Sequence, residues 1–200
     1  STFNALLRIA RLETRGNTAD MKPVSLGLLV TDACELYEAV AEDKQQDFQQ
    51  SLDNEAMIDG DRDLLFQMVS NLIDNAIKYT PEQGGIRVSV YRDRDYVVFE
   101  VSDSGIGIPD DEKKNVFQRF YRVGKSRSLP GNGLGLSLVS AVAEIHQGQI
   151  LLSDSHPGEE RPGLTVTIQL PAYRKQNRRL KAGQGKGDND ETTADATELS

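Results

Sequence analysis

Two runs of alternating apolar residues, IRVSV at Ile86–Val90 and YVVFEV at Tyr96–Val101, are joined only by the charged turn YRDRD. Side chains alternate across a strand, and so short a connection makes the pair an antiparallel hairpin with one apolar face. Such a face has to be covered by a second layer. The rest of the chain offers helices for that layer. Asp61 is suited to cap a helix over Arg62–Tyr79, which Pro81 and the following QGG stop. A second helix is expected to end near Lys44, a third to run from Leu134 to His146, and a short fourth to lie near Asp110–Phe120. Further strands are expected around Val24–Leu26, Phe48–Leu52, Gln149–Ser153 and Leu164–Leu170. Helices and strands mix without regular alternation, so the expected class is α+β, a layer of helices on a mostly antiparallel sheet.

The helix Arg62–Tyr79 contains NLIDNAIKYT, which has two stripes. Leu72, Ile73, Ala76 and Ile77 form an apolar face, while Asn71, Asn75, Lys78 and Tyr79 recur at i, i+4, i+7 and i+8 as a polar one. The apolar stripe accounts for packing; the polar one calls for a ligand or for solvent.

Composition narrows the choice. A net charge of −8 on 200 residues leaves no basic surplus for a general nucleic-acid binder. No run reaches the roughly 20 apolar residues of a membrane-spanning helix, and the N-terminus has no signal-peptide pattern. The single cysteine, Cys34, has no partner for an internal disulfide and is expected to be a small buried hydrophobe. Residues 2–15, TFNALLRIARLETR, place Phe3, Leu6, Leu7, Ile9, Ala10 and Leu12 mostly on one helical face before Gly16. The chain starts inside this pattern and without Met, which suggests a piece of a longer protein. From about Tyr173 a basic block and then an acidic block follow with little to bury, and residues 173–200 are expected to form a disordered charged tail.

Three further stretches carry chemistry. DSGIGIP, Asp103–Pro109, sets an acid and two glycines where a strand turns into a loop. GNGLGLSLV, Gly131–Val139, places glycines at the entrance of a helix, where free N–H groups and the helix dipole favour phosphate. Between them VFQRFYRVGKS, Val116–Ser126, holds paired aromatics and cations. The glycines do not form a dinucleotide fingerprint, because no parallel βαβ unit surrounds them. Nor do they end in the Gly-Lys-Ser/Thr of a P-loop.

The succession NLIDNAIKYT, DSGIGIP, FQRFYR, GNGLGLSLV resembles the N, G1, F and G2 boxes of the ATP-binding catalytic domain of sensor histidine kinases, within the wider superfamily of gyrase, the HSP90 chaperones and MutL. The match covers about Val24 to Pro171. It implies a two-layer α/β sandwich of the Bergerat type, with an ATP lid between the G1 and G2 boxes. Residues 1–16 resemble the end of the second helix of the dimerisation and phosphoacceptor domain, leaving 17–172 as the catalytic domain.

The resemblance also implies roles. Asn75, with Asn71 beside it, would hold Mg²⁺ through amide oxygens, as suits a hard cation. Relatives that hydrolyse ATP carry a Glu base near Asn71, and an amide there cannot deprotonate water. Lys78 would meet the phosphates and Tyr79 the base or sugar. Asp103 would accept a hydrogen bond from the adenine amino group, selecting ATP over guanine nucleotides. Gly105, Gly107 and Ile108 would shape the base pocket; Gly131, Gly133, Leu134, Gly135 and Leu136 the phosphate end. Phe117 and Phe120 would anchor the lid to the body or to the helical domain, and Arg122 and Lys125 are candidates for neutralising phosphate charge. Asn71, Lys78 and Arg122 are the expected catalytic set.

In this family the γ-phosphoryl group passes to a His on the dimerisation domain, then to an Asp of a response-regulator receiver domain. Neither histidine of the chain has the acceptor context: His146 ends a helix in EIHQGQI and is expected to be structural, and His156 sits in an exposed turn. The acceptor is therefore expected upstream, in a homodimeric parent anchored in the bacterial inner membrane with this part cytoplasmic. Three alternatives share the fold: a hydrolysing ATPase, a degenerate nucleotide-binding module, and a serine kinase of the anti-sigma type. The absent Glu base and the FQRFYR box speak against the first, intact N and G boxes against the second, and the preceding helix LLRIARLETRG against the third.

Overall fold

The structure, a computed structural model, describes residues 20–123 and 133–174. The expectations for residues 1–19 and 175–200, and for Lys125 and Gly131, lie outside the described residues.

The hairpin forms β4 (Gly85–Asp93) and β5 (Tyr96–Asp103), longer than the alternating cores suggested and turning over Arg94 at φ 53°. It joins β2 (Asp47–Leu52), β7 (Leu164–Pro171) and β6 (Gln149–Ser153) in a five-stranded sheet of order β2-β4-β5-β7-β6. Every pairing is antiparallel except β2 with β4, which is parallel from Asp47↔Gly85 to Leu52↔Val90. On one face Ile86, Val88 and Val90, then Val97, Phe99 and Val101, then Val166, Ile168 and Leu170 are all buried.

Helices α1 (Leu26–Asp43), α2 (Arg62–Tyr79) and α3 (Gly135–Ile145) cover that face, α1 over β2, α2 over β5, and α3 against α2. A small sheet of β1 (Lys22–Ser25) and β3 (Met57–Gly60) lies at one end. Leu26 starts α1 instead of closing the first strand, because the Ser25 hydroxyl caps the helix by accepting from the Leu28 N–H at 3.2 Å. β3 was not expected from the sequence. Its four residues gain their strand character from pairing with β1 and from the bridge Ile58↔Ala172. Tyr173 still donates its N–H to the Met57 carbonyl at 2.7 Å, and Arg174 pairs with Asp95 at 3.0 Å. Cys34 is buried and its thiol is pushed up to about 12, mainly by burial, which keeps it unreactive.

Segment 110–120, expected as a helix, is a chain of turns. Only Lys113 N–H to Pro109 and Val116 N–H to Glu112 span four residues; the bonds at Glu112, Asn115, Gln118 and Tyr121 span three. Val116, Phe117 and Phe120 stand at helical spacing, but Phe120, at φ 65°, gives its N–H to the Gly133 carbonyl and is 73% exposed, so no continuous helix forms there.

Candidate functional site

α2 is fixed at both ends. Asp61 Oδ1 accepts from the N–H groups of Asp63 and Leu64, each at 3.2 Å. At the other end Gln46 Nε2 donates to the carbonyls of Ile77 (3.0 Å) and Thr80 (2.8 Å), and Lys44 Nζ donates to Ile77 (2.8 Å). A cation at a helix C-terminus is also favoured by the dipole. His146, at the end of α3, is 5% exposed; its Nε2 accepts from the Asp61 N–H at 3.0 Å and its Nδ1 lies 2.7 Å from the Val142 carbonyl. It is thus a neutral structural link between α3 and α2, and burial holds its pKa below the usual histidine value.

With the apolar stripe of α2 buried in the core, the other stripe faces a cavity of about 620 Å³, within the range of small-molecule sites. Asn71, Asn75, Lys78 and Tyr79 all line it. Asn71 Nδ2 donates back to the Gln67 carbonyl at 2.7 Å, which leaves its amide oxygen as the free acceptor. That oxygen and the Asn75 amide converge on Gly135 across the cavity: a Cβ there would stand 3.4 Å from Asn71 Oδ1 and 3.4 Å from Asn75 Nδ2. Only the oxygens of these amides could hold a hard cation, and Asn75 Oδ1 stands 3.7 Å from the same Cβ position. The described residues hold no cluster of His, Cys, Asp and Glu that could serve as a separate metal cage. Lys78 Nζ rests 3.1 Å from the Tyr79 hydroxyl.

Asp103 is the next inward position after Val97, Phe99 and Val101, so the alternation of β5 drives a carboxyl group into the helix-covered face at the sheet's end. It is 7% exposed, and burial pushes its pKa up to about 6 against the lowering pull of backbone hydrogen bonds from Gly105 and Leu164 and the charge of His156. Its Oδ1 accepts from the Gly105 N–H at 2.8 Å. Gly105 does not line the cavity itself; it lets the loop pass the end of α2, where a Cβ would lie 2.5 Å from the Tyr79 carbonyl. Gly107, at φ 67°, and Ile108 do line it.

Gly133, Leu134, Gly135 and Leu136 close the cavity at the start of α3. Leu134 is the N-cap and supplies no side-chain hydrogen bond, so the first N–H groups of α3 have no capping side chain.

The outer wall is segment 109–123, which contributes Val116, Tyr121, Arg122 and Val123 to the lining. Within the described body Phe120 is not an anchor: it is 73% exposed at φ 65°, because its N–H is held by the Gly133 carbonyl and its side chain is turned outward. Val116 and Val123 are the buried apolar residues of this segment. The apolar floor of Leu72, Ala76, Val101, Leu164 and Val166 was also not foreseen. The signal for Val101 was present, as the residue two before Asp103 on the same face of a strand.

Residues 60–174 match the family described as histidine kinase-, DNA gyrase B-, and HSP90-like ATPase. The chain belongs to this family. Within the ATPase family it is of the sensor histidine kinase type. It is 43% identical over 117 residues to the signal transduction histidine-protein kinase/phosphatase MprB of Mycobacterium tuberculosis, covering 58% of this chain and 23% of MprB. It is 34% identical over 170 residues to the sensor-like histidine kinase SenX3 of Mycolicibacterium smegmatis, covering 84% of this chain and 43% of SenX3. The chain thus spans less than half the length of these relatives. A solved structure of the mycobacterial sensor histidine kinase MprB superposes with a TM-score of 0.67 at 30% identity, covering 76% of this chain and 97% of that one. No helix among the described residues is long and apolar enough to cross a membrane.

Proposed function

We propose that this chain is the ATP-binding catalytic part of a two-component sensor kinase, which passes the γ-phosphoryl group of ATP to a histidine of an upstream dimerisation domain and from there to an aspartate of a response regulator. One observation carries the reading: an amide pair from α2, a buried carboxyl group from β5 and the start of α3, remote in sequence, converge on one cavity. In this reading Asp103 accepts from the adenine amino group, and the apolar floor around Val101 and Val166 takes the flat base. Asn75 and Asn71 would hold Mg²⁺, whose charge would offset that of the triphosphate. Lys78 and Arg122 add cations, and the N–H groups of α3 receive phosphate oxygens. Phosphoryl transfer depends chiefly on such positioning and charge neutralisation. Asn71 cannot act as a base towards water, which favours transfer over hydrolysis. The names of the relatives, and a solved structure of full-length ShkA in complex with AMPPNP (TM-score 0.69, 27% identity), support the same reading. Residues 1–16 would then end a dimerisation helix, 17–172 form the catalytic domain, and the parent be a homodimer anchored in a bacterial inner membrane with this part in the cytoplasm.

Calorimetric titration of ATP with and without Mg²⁺ tests the site, using the chain and Asn75→Ala. The expected result is Mg²⁺-dependent binding that Asn75→Ala loses. Absence of ATP binding by the folded wild-type chain would refute the reading. Mixing with a separately supplied dimerisation domain and labelled ATP then distinguishes acid-labile phosphohistidine from free phosphate, the product of a hydrolase.

A further inference from the structure

The outer wall of the cavity has neither helix nor strand of its own, so something else must hold it in place. Lys113 Nζ reaches out of segment 109–123 to Asp154 Oδ1 at 2.8 Å, on the loop that leaves β6, and also to Asp110 Oδ1 at 2.7 Å. Lys113 is only 17% exposed and Asp154 27%, whereas Asp110 is 90% exposed. The Asp154 bond is therefore the shielded one, and it joins residues 41 apart in sequence. A second bond, from the Tyr121 hydroxyl to Glu112 Oε2 at 2.9 Å, folds the wall onto itself on either side of Val116. Asp154 is followed by Ser155, whose hydroxyl bonds Ser102 and Thr165 on β5 and β7, each at 2.9 Å. The ion pair is thereby mounted on β5, which carries Asp103, and on its neighbour β7.

The geometry points to Lys113 and Asp154 as positioning residues that latch the outer wall to the sheet and so set the affinity for nucleotide. Neither touches the cavity; both act through Val116, Tyr121 and Val123, which do. The consequence for nucleotide rests on the ATP-site reading above, but the latch itself is measurable without ligand. Lys113→Met leaves the partly buried Asp154 uncompensated, and Asp154→Asn leaves Lys113 only its bond to the exposed Asp110, so each single change unties the wall from the sheet, and residues that act as one unit are not additive.

The test is a cycle of Lys113→Met, Asp154→Asn, the double variant and the reversed pair Lys113→Asp/Asp154→Lys in the full chain. Amide hydrogen exchange without nucleotide is expected to speed up at least tenfold at Asn115, Val116 and Gln118 in each single variant, with α2 amides unchanged. ATP affinity is expected to fall five- to tenfold in each single variant, no further in the double, and to recover at least in part in the reversed pair. Unchanged exchange in segment 109–123 would overturn the latch. Faster exchange with unaltered ATP affinity, or losses that simply add in the double variant, would overturn its role in binding. If the wild-type chain binds no ATP, the exchange result still decides the latch, and only the functional reading fails.

Discussion

The two walls of the cavity are held by different means. α2 buries eight apolar side chains, has an acidic cap and an adjacent acid at its N-terminus, and has its last carbonyls taken by Gln46 and Lys44. Segment 109–123 buries Val116 and Val123, and among its ties are single turns, one shielded ion pair, a tyrosine–glutamate bond and the Phe120 N–H to Gly133 carbonyl bond. In the proposed reading, the difference places the amide pair, where geometry would matter most to a metal and phosphates, on the better-packed element. The wall over the rest of the ligand is on an element that can adjust at little cost.

The sharpest way to break this comparison is to remove bulk from each wall. Ile73→Ala, in the core behind α2, is expected to cost about 2–5 kcal/mol in urea unfolding, since its surroundings cannot collapse on the hole. Val116→Ala is expected to cost about 1 kcal/mol, because the turns can relax. Equal losses would mean that the outer wall is as firmly packed as the helix.

Gly135→Val separates stability from binding. The added methyl groups would occupy the space between the Asn71 and Asn75 amides, so ATP affinity is expected to fall at least tenfold, about 1.4 kcal/mol. The unfolding midpoint should change little, as the site is a cavity and not core. A variant that binds ATP normally would move the metal and phosphate away from these amides.

The smallest effect at neutral pH is that of Asp103. With its folded pKa raised to about 6 from 3.8, the native state binds more protons than the unfolded chain in this interval. Its contribution to stability therefore falls as pH rises from about 4 to about 6. Binding runs the other way, since the carboxylate is the form that accepts from an amino group. Affinity for ATP is expected to be level above pH 7 and to be about tenfold weaker at pH 5, where roughly one molecule in ten has the group ionised. Asp103→Asn should remove that part of the pH dependence; if it persists, another group titrates at the site.

The sequence was most informative where order is local. The bounds of α2 and its Asp61 cap were legible because helical period and capping act over a few residues, and the same period exposed Asn71, Asn75, Lys78 and Tyr79 as a second stripe. β3 was not legible, because MIDG becomes a strand only through β1 and Ala172. The parallel register of β2 on β4 likewise depends on where α1 and α2 place the two strands. The helix expected near Asp110–Phe120 does not form, because its local turns are tied to distant residues, Lys113 to Asp154 and Phe120 to Gly133.

By itself, then, the sequence determined the alternation that makes the hairpin and the periodicity that makes α2 two-sided. It also determined the four motifs whose order marks the family. Tertiary structure alone decided that these motifs share a cavity. It made Asp103 a buried carboxyl group with a raised pKa and turned the Asn71 and Asn75 amides towards Gly135. The physical reason is range: period and capping are properties of a few adjacent residues, whereas burial and convergence exist only once distant segments have packed together.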